Sequence, residues 1–219
     1  MTTGYPADDL LCRPSFIKTI HDRINNLVEQ SKTNSAHLLI GTPWEENGEL
    51  YNAALIIGDG KIQHKSFKRH LPNYGVFDDK RHFSAFTDMP EIFELKGHKL
   101  GILICEDMWF KDVAADLKQQ GADILISPNG SPFHKEKFER RLEVSRMRVK
   151  ETDLPLIYVN QVGGQDDLVF DGGSFVMNKS REVTHQLSSF EECISSLSDN
   201  MFSDTLPLEE KLYLSLIHI

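Results

Sequence analysis

An α/β fold with a mixed sheet is the architecture this sequence predicts, and three observations predict it. Strand-like apolar runs alternate with amphipathic helical stretches along most of the chain. Two of those runs, Leu100–Ile104 and Asp123–Ser127, are compact enough to read as strands covered on both faces. Asp59-Gly60 stands between two further strand-like runs, Asn52–Gly58 and Lys61–Phe67, and marks an antiparallel hairpin within the same fold.

The elements follow in order. A turn at Gly4-Tyr5-Pro6 precedes a helix that begins near Pro14-Ser15, where Phe16, Ile17, Ile20, Ile24, Leu27 and Val28 form one apolar stripe. His37–Thr42 is a strand, and the residues from Pro43 to Gly48 read as a polar loop around Trp44. After the hairpin, the segment from Lys68 to Pro90 has no regular period, and a loop of that length is usually functional. Beyond Leu100–Ile104 a helix starts near Asp112 and ends at Gly121. The next strand runs into Pro128-Asn129-Gly130-Ser131, and a longer helix covers about His134 to Thr152 with Phe138, Leu142, Ser145 and Val149 on one face. Pro155–Val162 is a strand, Val169–Met177 reads as two short strands around Asp171-Gly172-Gly173, and Glu182–Leu187 as one more. Residues from about Ser188 are Ser-rich and polar, as linkers are. Leu214–Ile219 continues no helical pattern and resembles translated adapter sequence.

Composition sets outer bounds. The chain has 219 residues, 40% hydrophobic and 26% charged, with a net charge of −9. That is an ordinary globular mixture, and one domain is the simpler reading. The acidic balance argues against a nucleic-acid partner. The basic group Arg140, Arg141, Arg146, Arg148 and Lys150 is interleaved with core-spaced apolar residues and reads as a solvated helix face. No apolar run approaches the ~18 residues of a membrane span, and no signal peptide is evident. Three widely spaced cysteines suggest no disulfide framework, which points to the cytoplasm. No metal-ligand spacing occurs.

The stretch Gly101–Phe110, GILICEDMWF, carries the chemistry. Cys105 follows a buried strand and precedes a helix, where open α/β sheets place reactive groups. A buried, unreactive cysteine is the bland reading of the same position.

The succession GELYNAALII, SFKRHLPNYGVFDDKRHF, KLGILICEDMWF, GADILISPNGSPF, RMRVKETDLPLIYVNQVGG and DLVFDGGSFV resembles the nitrilase-type carbon–nitrogen hydrolases. More narrowly, LPNYGVFD and ICED-x-W are similar to the amidase domain of glutamine-dependent NAD synthetases. The resemblance covers about Thr3 to Tyr213. It implies an α-β-β-α sandwich and a Cys-Glu-Lys triad. Cys105 takes the nucleophile position and Lys68 the lysine position, with Tyr74, Glu106, Trp109, Ser131 and Lys137 expected around L-glutamine. A thiolate would attack the amide, release ammonia and leave a thioester for water to hydrolyse, while Lys68 and backbone N–H groups stabilise the oxyanions. Without the resemblance, Lys68 reads as an exposed lysine, Glu106 as a solvated loop carboxylate, Ser131 as a turn residue and Tyr74 as packing under its loop.

Two departures stand out. The family's general-base glutamate lies in a Pro-Glu pair a few residues before TGYP, a region in which this chain's Met1 falls. The chain is therefore expected to be a fragment, poorly active alone, from a glutamine-hydrolysing parent; Asp8 and Asp9 lie on the wrong side of the turn to replace the base. Asp79 stands where the family usually has glutamate. At the other end, no SGGxDS phosphate loop occurs, and Gly172-Gly173-Ser174 has the wrong order for one. The expected division is an amidase domain over 1–190 and, over 191–219, the start of a linker to an absent synthetase domain. ATP and Mg are expected only in that domain and no cofactor in this part. The resemblance further implies a homo-oligomer. A free-standing amidase acting on another small amide and a non-catalytic scaffold remain open, and a Cys-His protease finds no support in the lysine and glycine signatures.

Overall fold

The structure, a computed structural model, describes residues 2–197 and 208–217. Its contacts divide into two compact units, Met1–Glu91 and Ile92–Ile219.

The first unit is a helix on an antiparallel sheet. Helix α1 (Pro14–Ser31) has proline at its N-terminus, where a missing N–H costs nothing. Its stripe, with Ile20 and Ile24 at the centre, packs on Ala53, Leu55 and Ile57. Those three alternate residues lie in β2 (Glu49–Gly58), which pairs with β1 (Leu38–Glu46) and β3 (Lys61–Phe67) in the order β1-β2-β3. Asp59 and Gly60 have φ of +51° and +73°, as the two central residues of a type I′ turn require. Strand β1 continues through Pro43 and Trp44, which were expected in a loop; Pro43 pairs with Asn52 in register. An edge strand tolerates proline because one of its sides needs no N–H donor, and Trp44 is held by stacking on His21 at 4.5 Å. The segment from Lys68 to Pro90 is irregular as expected, apart from the single turn α2 (Asp79–His82).

The second unit contains β4 (Phe93–Leu95), β5 (His98–Ile102), α3 (Asp112–Gln119), β6 (Ile124–Asn129), α4 (Lys137–Thr152), β7 (Leu156–Asn160), β8 (Val162–Gln165), β9 (Leu168–Asp171), β10 (Phe175–Met177), β11 (Val183–Gln186) and α5 (Leu208–Ile217). Six of the strands form a mixed sheet in the order β11-β10-β7-β6-β5-β4. Its centre, β5-β6-β7, is parallel, with Leu100 opposite Ile124 and Asn129 opposite Asn160. Helix α3 approaches β5 closely at Gly101, where a Cβ would lie 3.1 Å from Ala122 Cβ and 3.2 Å from Leu117 Cβ. The core below joins Leu103, Met108, Leu117, Leu125, Phe138, Leu142, Val149, Leu156 and Tyr158, and each such side chain contributes about 1.5–3 kcal/mol when fully buried.

Val169–Met177 holds two short strands around Asp171-Gly172-Gly173 as expected, although they belong to different sheets: β9 pairs with β8, and β10 joins the large sheet. The short β4 was not foreseen, because three residues leave no readable period. Leu214 to Ile217 belong to a helix, α5, which begins at Leu208; residues 218–219, and 198–207 of the expected linker, lie outside the described residues. Finally, Arg141 is fully buried and Arg148 is 4% exposed. Both fall at helical spacing on the stripe that carries Phe138, Leu142, Ser145 and Val149, so they face the core rather than solvent.

Candidate active site

The C-terminal ends of β5, β6 and β7 lie side by side, and the candidate residues of the second unit stand on or just beyond them. Strand β5 ends at Ile102, and Cys105 opens a 3₁₀ turn that runs to Trp109. Cys105 is half-buried and has φ of +47°. A side chain in that left-handed region costs about 1–2 kcal/mol, and such outliers gather at functional sites. The turn is locked by Asp107, 1% exposed, whose Oδ2 accepts the Ile104 N–H at 3.1 Å while its own N–H donates to Ile104 O at 3.1 Å. Glu106 is buried, which rules out the solvated loop carboxylate.

The loop after β6 carries Ser131, 4% exposed. Asn160, at the end of β7, accepts the Ser131 N–H on Oδ1 at 2.9 Å and donates Nδ2 to Ser131 O at 3.1 Å. Arg141 Nε donates to Ser131 Oγ at 3.1 Å and Nη2 to Ser131 O at 2.7 Å. Ser131 is thus a fixed group rather than an ordinary turn residue. Tyr158 is fully buried beside it, and burial pushes its phenol above the ordinary range.

Lys137, the first residue of α4, places its Nζ 4.4 Å from the centroid of the Trp109 ring, a cation–π contact. Burial lowers the Lys137 ammonium below its usual range, and the Arg141 cation acts in the same direction, while Cys105 and Glu106 partly oppose them. Cys105 also interacts electrostatically with Arg141 and Tyr158. The thiol, the Glu106 carboxylate, the Trp109 ring, Lys137 and the Ser131–Arg141 pair therefore form one cluster. A thiol facing cations is a favourable place for a thiolate, and a cation beside a carboxylate suits a zwitterionic ligand.

In the first unit, Lys68 is not the exposed lysine of the bland reading. It is fully buried, with Nζ 2.7 Å from Asp79 Oδ2. Tyr5 Oη donates to Asp79 Oδ1 at 2.9 Å, and Lys68 Nζ lies 5.6 Å from the Tyr5 ring centroid. Asp79 thus joins Lys68 and Tyr5 in one buried polar group. Tyr74 is 54% exposed, with its ring edge-on to Phe77 at 5.7 Å, so it is not packed beneath its loop.

Reading the sequence missed Asp107, Arg141, Asn160 and Asp171. Arg141 left a signal, three residues after Phe138 and four before Ser145 on the apolar stripe. Asn160 left none, because its role depends on the register that sets it opposite Asn129.

Among the described residues, no helix is long and apolar enough to cross a membrane. Among the described residues, Cys12, Cys105 and Cys193 form no disulfide with one another.

Residues 20–199 match the Carbon-nitrogen hydrolase family. Glutamine-dependent NAD(+) synthetase of Rhodobacter capsulatus is 41% identical over 192 residues, 88% of this chain and 34% of that protein. The protein of the same name from Thermotoga maritima is 33% identical over 98% of this chain and 36% of its own length. The chain thus spans about a third of the length of the curated relatives it matches. The solved glutamine-dependent NAD+ synthetase of Acinetobacter baumannii, in complex with ADP, superposes with a TM-score of 0.87 at 35% identity, over 98% of this chain and 42% of that one. A carbon-nitrogen hydrolase from Helicobacter pylori G27 shares the fold at a TM-score of 0.74 and 24% identity, over 82% of this chain and 69% of that one. The fold is the α/β fold of the nitrilase type, and the chain belongs to the carbon-nitrogen hydrolase family.

Proposed function

We propose that this chain is the amidase part of a glutamine-dependent NAD synthetase and hydrolyses the side-chain amide of L-glutamine at Cys105. The carrying observation is the strained, half-buried Cys105 thiol in a cluster with Glu106, Trp109, Lys137 and Ser131. The Cys105 thiolate attacks the amide carbon and forms a C–S bond. The C–N bond then breaks, and the nitrogen leaves as ammonia after taking up a proton. Water attacks the thioester, releasing glutamate and restoring the thiol. The resemblance assigns Lys68, whose Nζ lies 2.7 Å from Asp79 Oδ2, to stabilising the oxyanion of each tetrahedral intermediate. Lys137 and Ser131 hold the glutamine carboxylate, Glu106 its ammonium, and Trp109 flanks the chain between them; the resemblance adds Tyr74 to the glutamine-binding residues.

In the parent protein, the ammonia would serve the ATP-dependent amidation of deamido-NAD in a C-terminal synthetase domain, and ATP and Mg belong there. We assign residues 1–190 to the amidase domain, require no cofactor for it, and place the protein in the cytoplasm as a homo-oligomer.

Labelling by diazo-oxo-norleucine, read by peptide mass spectrometry, tests the assignment. Selective labelling of Cys105, suppressed by glutamine, is the expected result. Equal labelling of the exposed Cys12 and Cys193, or no suppression by glutamine, would remove the glutaminase assignment; suppression by other small amides alone would favour a different amidase.

A further inference from the structure

Arg141 is a fully buried cation whose partners are all close to the candidate site. Its Nε donates to Ser131 Oγ at 3.1 Å, Nη2 to Ser131 O at 2.7 Å and to Pro132 O at 3.1 Å, and Nη1 to Asp171 Oδ2 at 3.0 Å. Asp171 Oδ1 lies a further 2.9 Å from Nη2. Every nitrogen of the guanidinium is therefore engaged by the protein's own oxygens, and none of its surface reaches solvent. A group so fully engaged is suited to hold another residue in place rather than to touch a ligand itself.

What it holds is specific. Guanidinium only donates, so the Nε contact occupies one acceptor position of the Ser131 hydroxyl and turns the hydroxyl proton away from Arg141; the buried Tyr158 phenol bonds the same hydroxyl and, un-ionised, can donate to its second acceptor position. The Nη2 contact fixes the same residue through its carbonyl, and Asn160 fixes its N–H. Asp171 in turn holds the guanidinium by the Nη1–Oδ2 hydrogen bond, with Oδ1 near Nη2 as an ion pair only, while Nε and Nη2 grip Ser131 in a planar fork that Lys cannot reproduce. The chain of support runs from Asp171 at the end of β9, through Arg141 on α4, to Ser131 after β6.

Resting on the glutamine reading above, we propose that Arg141 is a positioning residue that presents the Ser131 hydroxyl as a hydrogen-bond donor to the carboxylate of the substrate. A ligand with an oxygen acceptor at that place is favoured, and one with only a donor there is disfavoured. The partner of Ser131 is thus a carboxylate or carbonyl oxygen rather than an amine.

The test follows alkylation of Cys105 by iodoacetamide in this chain, resolved from Cys12 and Cys193 by peptide mass spectrometry, and reads the glutamine concentration that halves the rate. Arg141→Lys keeps the charge and loses the fork, so it should raise that concentration about tenfold. Ser131→Ala should do the same, and the double variant should be no worse than Ser131→Ala alone, because the arginine acts through the serine. An unchanged value for Arg141→Lys, or effects that multiply in the double variant, would overturn the proposal. Glutamine that fails to protect the unmodified chain would instead refute the glutaminase reading. In that event, amide hydrogen exchange decides on the arginine: Arg141→Lys should speed exchange at residues 130–135 about tenfold while the core of α4 stays protected, and unchanged exchange there would end the proposal.

Discussion

Lys68 Nζ lies 2.7 Å from Asp79 Oδ2, with the lysine fully buried and the aspartate nearly so. Breaking such a pair from one side leaves a charge with neither solvent nor partner. Asp79→Ala should therefore cost about 3–5 kcal/mol. Asp79→Glu keeps the charge but adds a methylene in a site already closed by the Tyr5 hydroxyl, so it should cost about 1–3 kcal/mol. Urea denaturation of the two variants gives both numbers, and equal losses would show that charge is not what Asp79 supplies.

Cys105 makes a different prediction, because its backbone is strained. At an ordinary position glycine is less stable than alanine by about 0.5–1 kcal/mol. At φ of +47° the order should reverse. Cys105→Gly should be more stable than Cys105→Ala by about that amount, with both losing the thiol reactivity. Thermal or urea denaturation of the pair checks it, and the usual order would mean that the turn relaxes at no cost.

How far the sequence reveals this molecule depends on the kind of interaction. Local chemistry is legible: Asp59-Gly60 announces a hairpin, and the stripe from Phe16 to Val28 announces α1, since both depend on neighbours in the chain. Cys105 and Ser131 are legible as the ends of apolar runs. Arg141 and Arg148 are misread because charge outweighs position in any reading by composition, and only the 7-residue spacing on the apolar stripe betrays their burial. The burial of Lys68 is illegible without Asp79, 11 residues on, folding back against it. Trp44 shows the same limit, as the ring that holds it, His21, lies on α1.

Gly101 tests the packing under the Cys105 turn. A Cβ added there would meet Ala122 Cβ at 3.1 Å, and Leu117 Cβ and Leu125 Cδ2 at 3.2 Å. Two of those atoms are Cβ atoms fixed to backbone, so α3 must shift to make room. Gly101→Ala should cost about 1–3 kcal/mol, read as a lower urea midpoint with an unchanged slope. A neutral result would mean that α3 is free to move off β5.

Lys137 predicts how stability responds to alkaline pH. Burial, helped by the Arg141 cation, holds its ammonium below the ordinary value of 10.5. The unfolded chain then binds a proton more readily than the folded one between the lowered value and 10.5. Because the charged form is the one disfavoured in the fold, its penalty is fully present below the folded value, and stability recovers as pH rises through that window. Lys137→Met removes the penalty. It should raise stability at neutral pH and flatten the profile as the pH approaches 10.5, while weakening protection of Cys105 by glutamine. Urea denaturation of both proteins across that window measures the difference. If the two profiles run parallel, the Lys137 proton is not linked to folding, and the ammonium is better hydrated than its place over Trp109 implies.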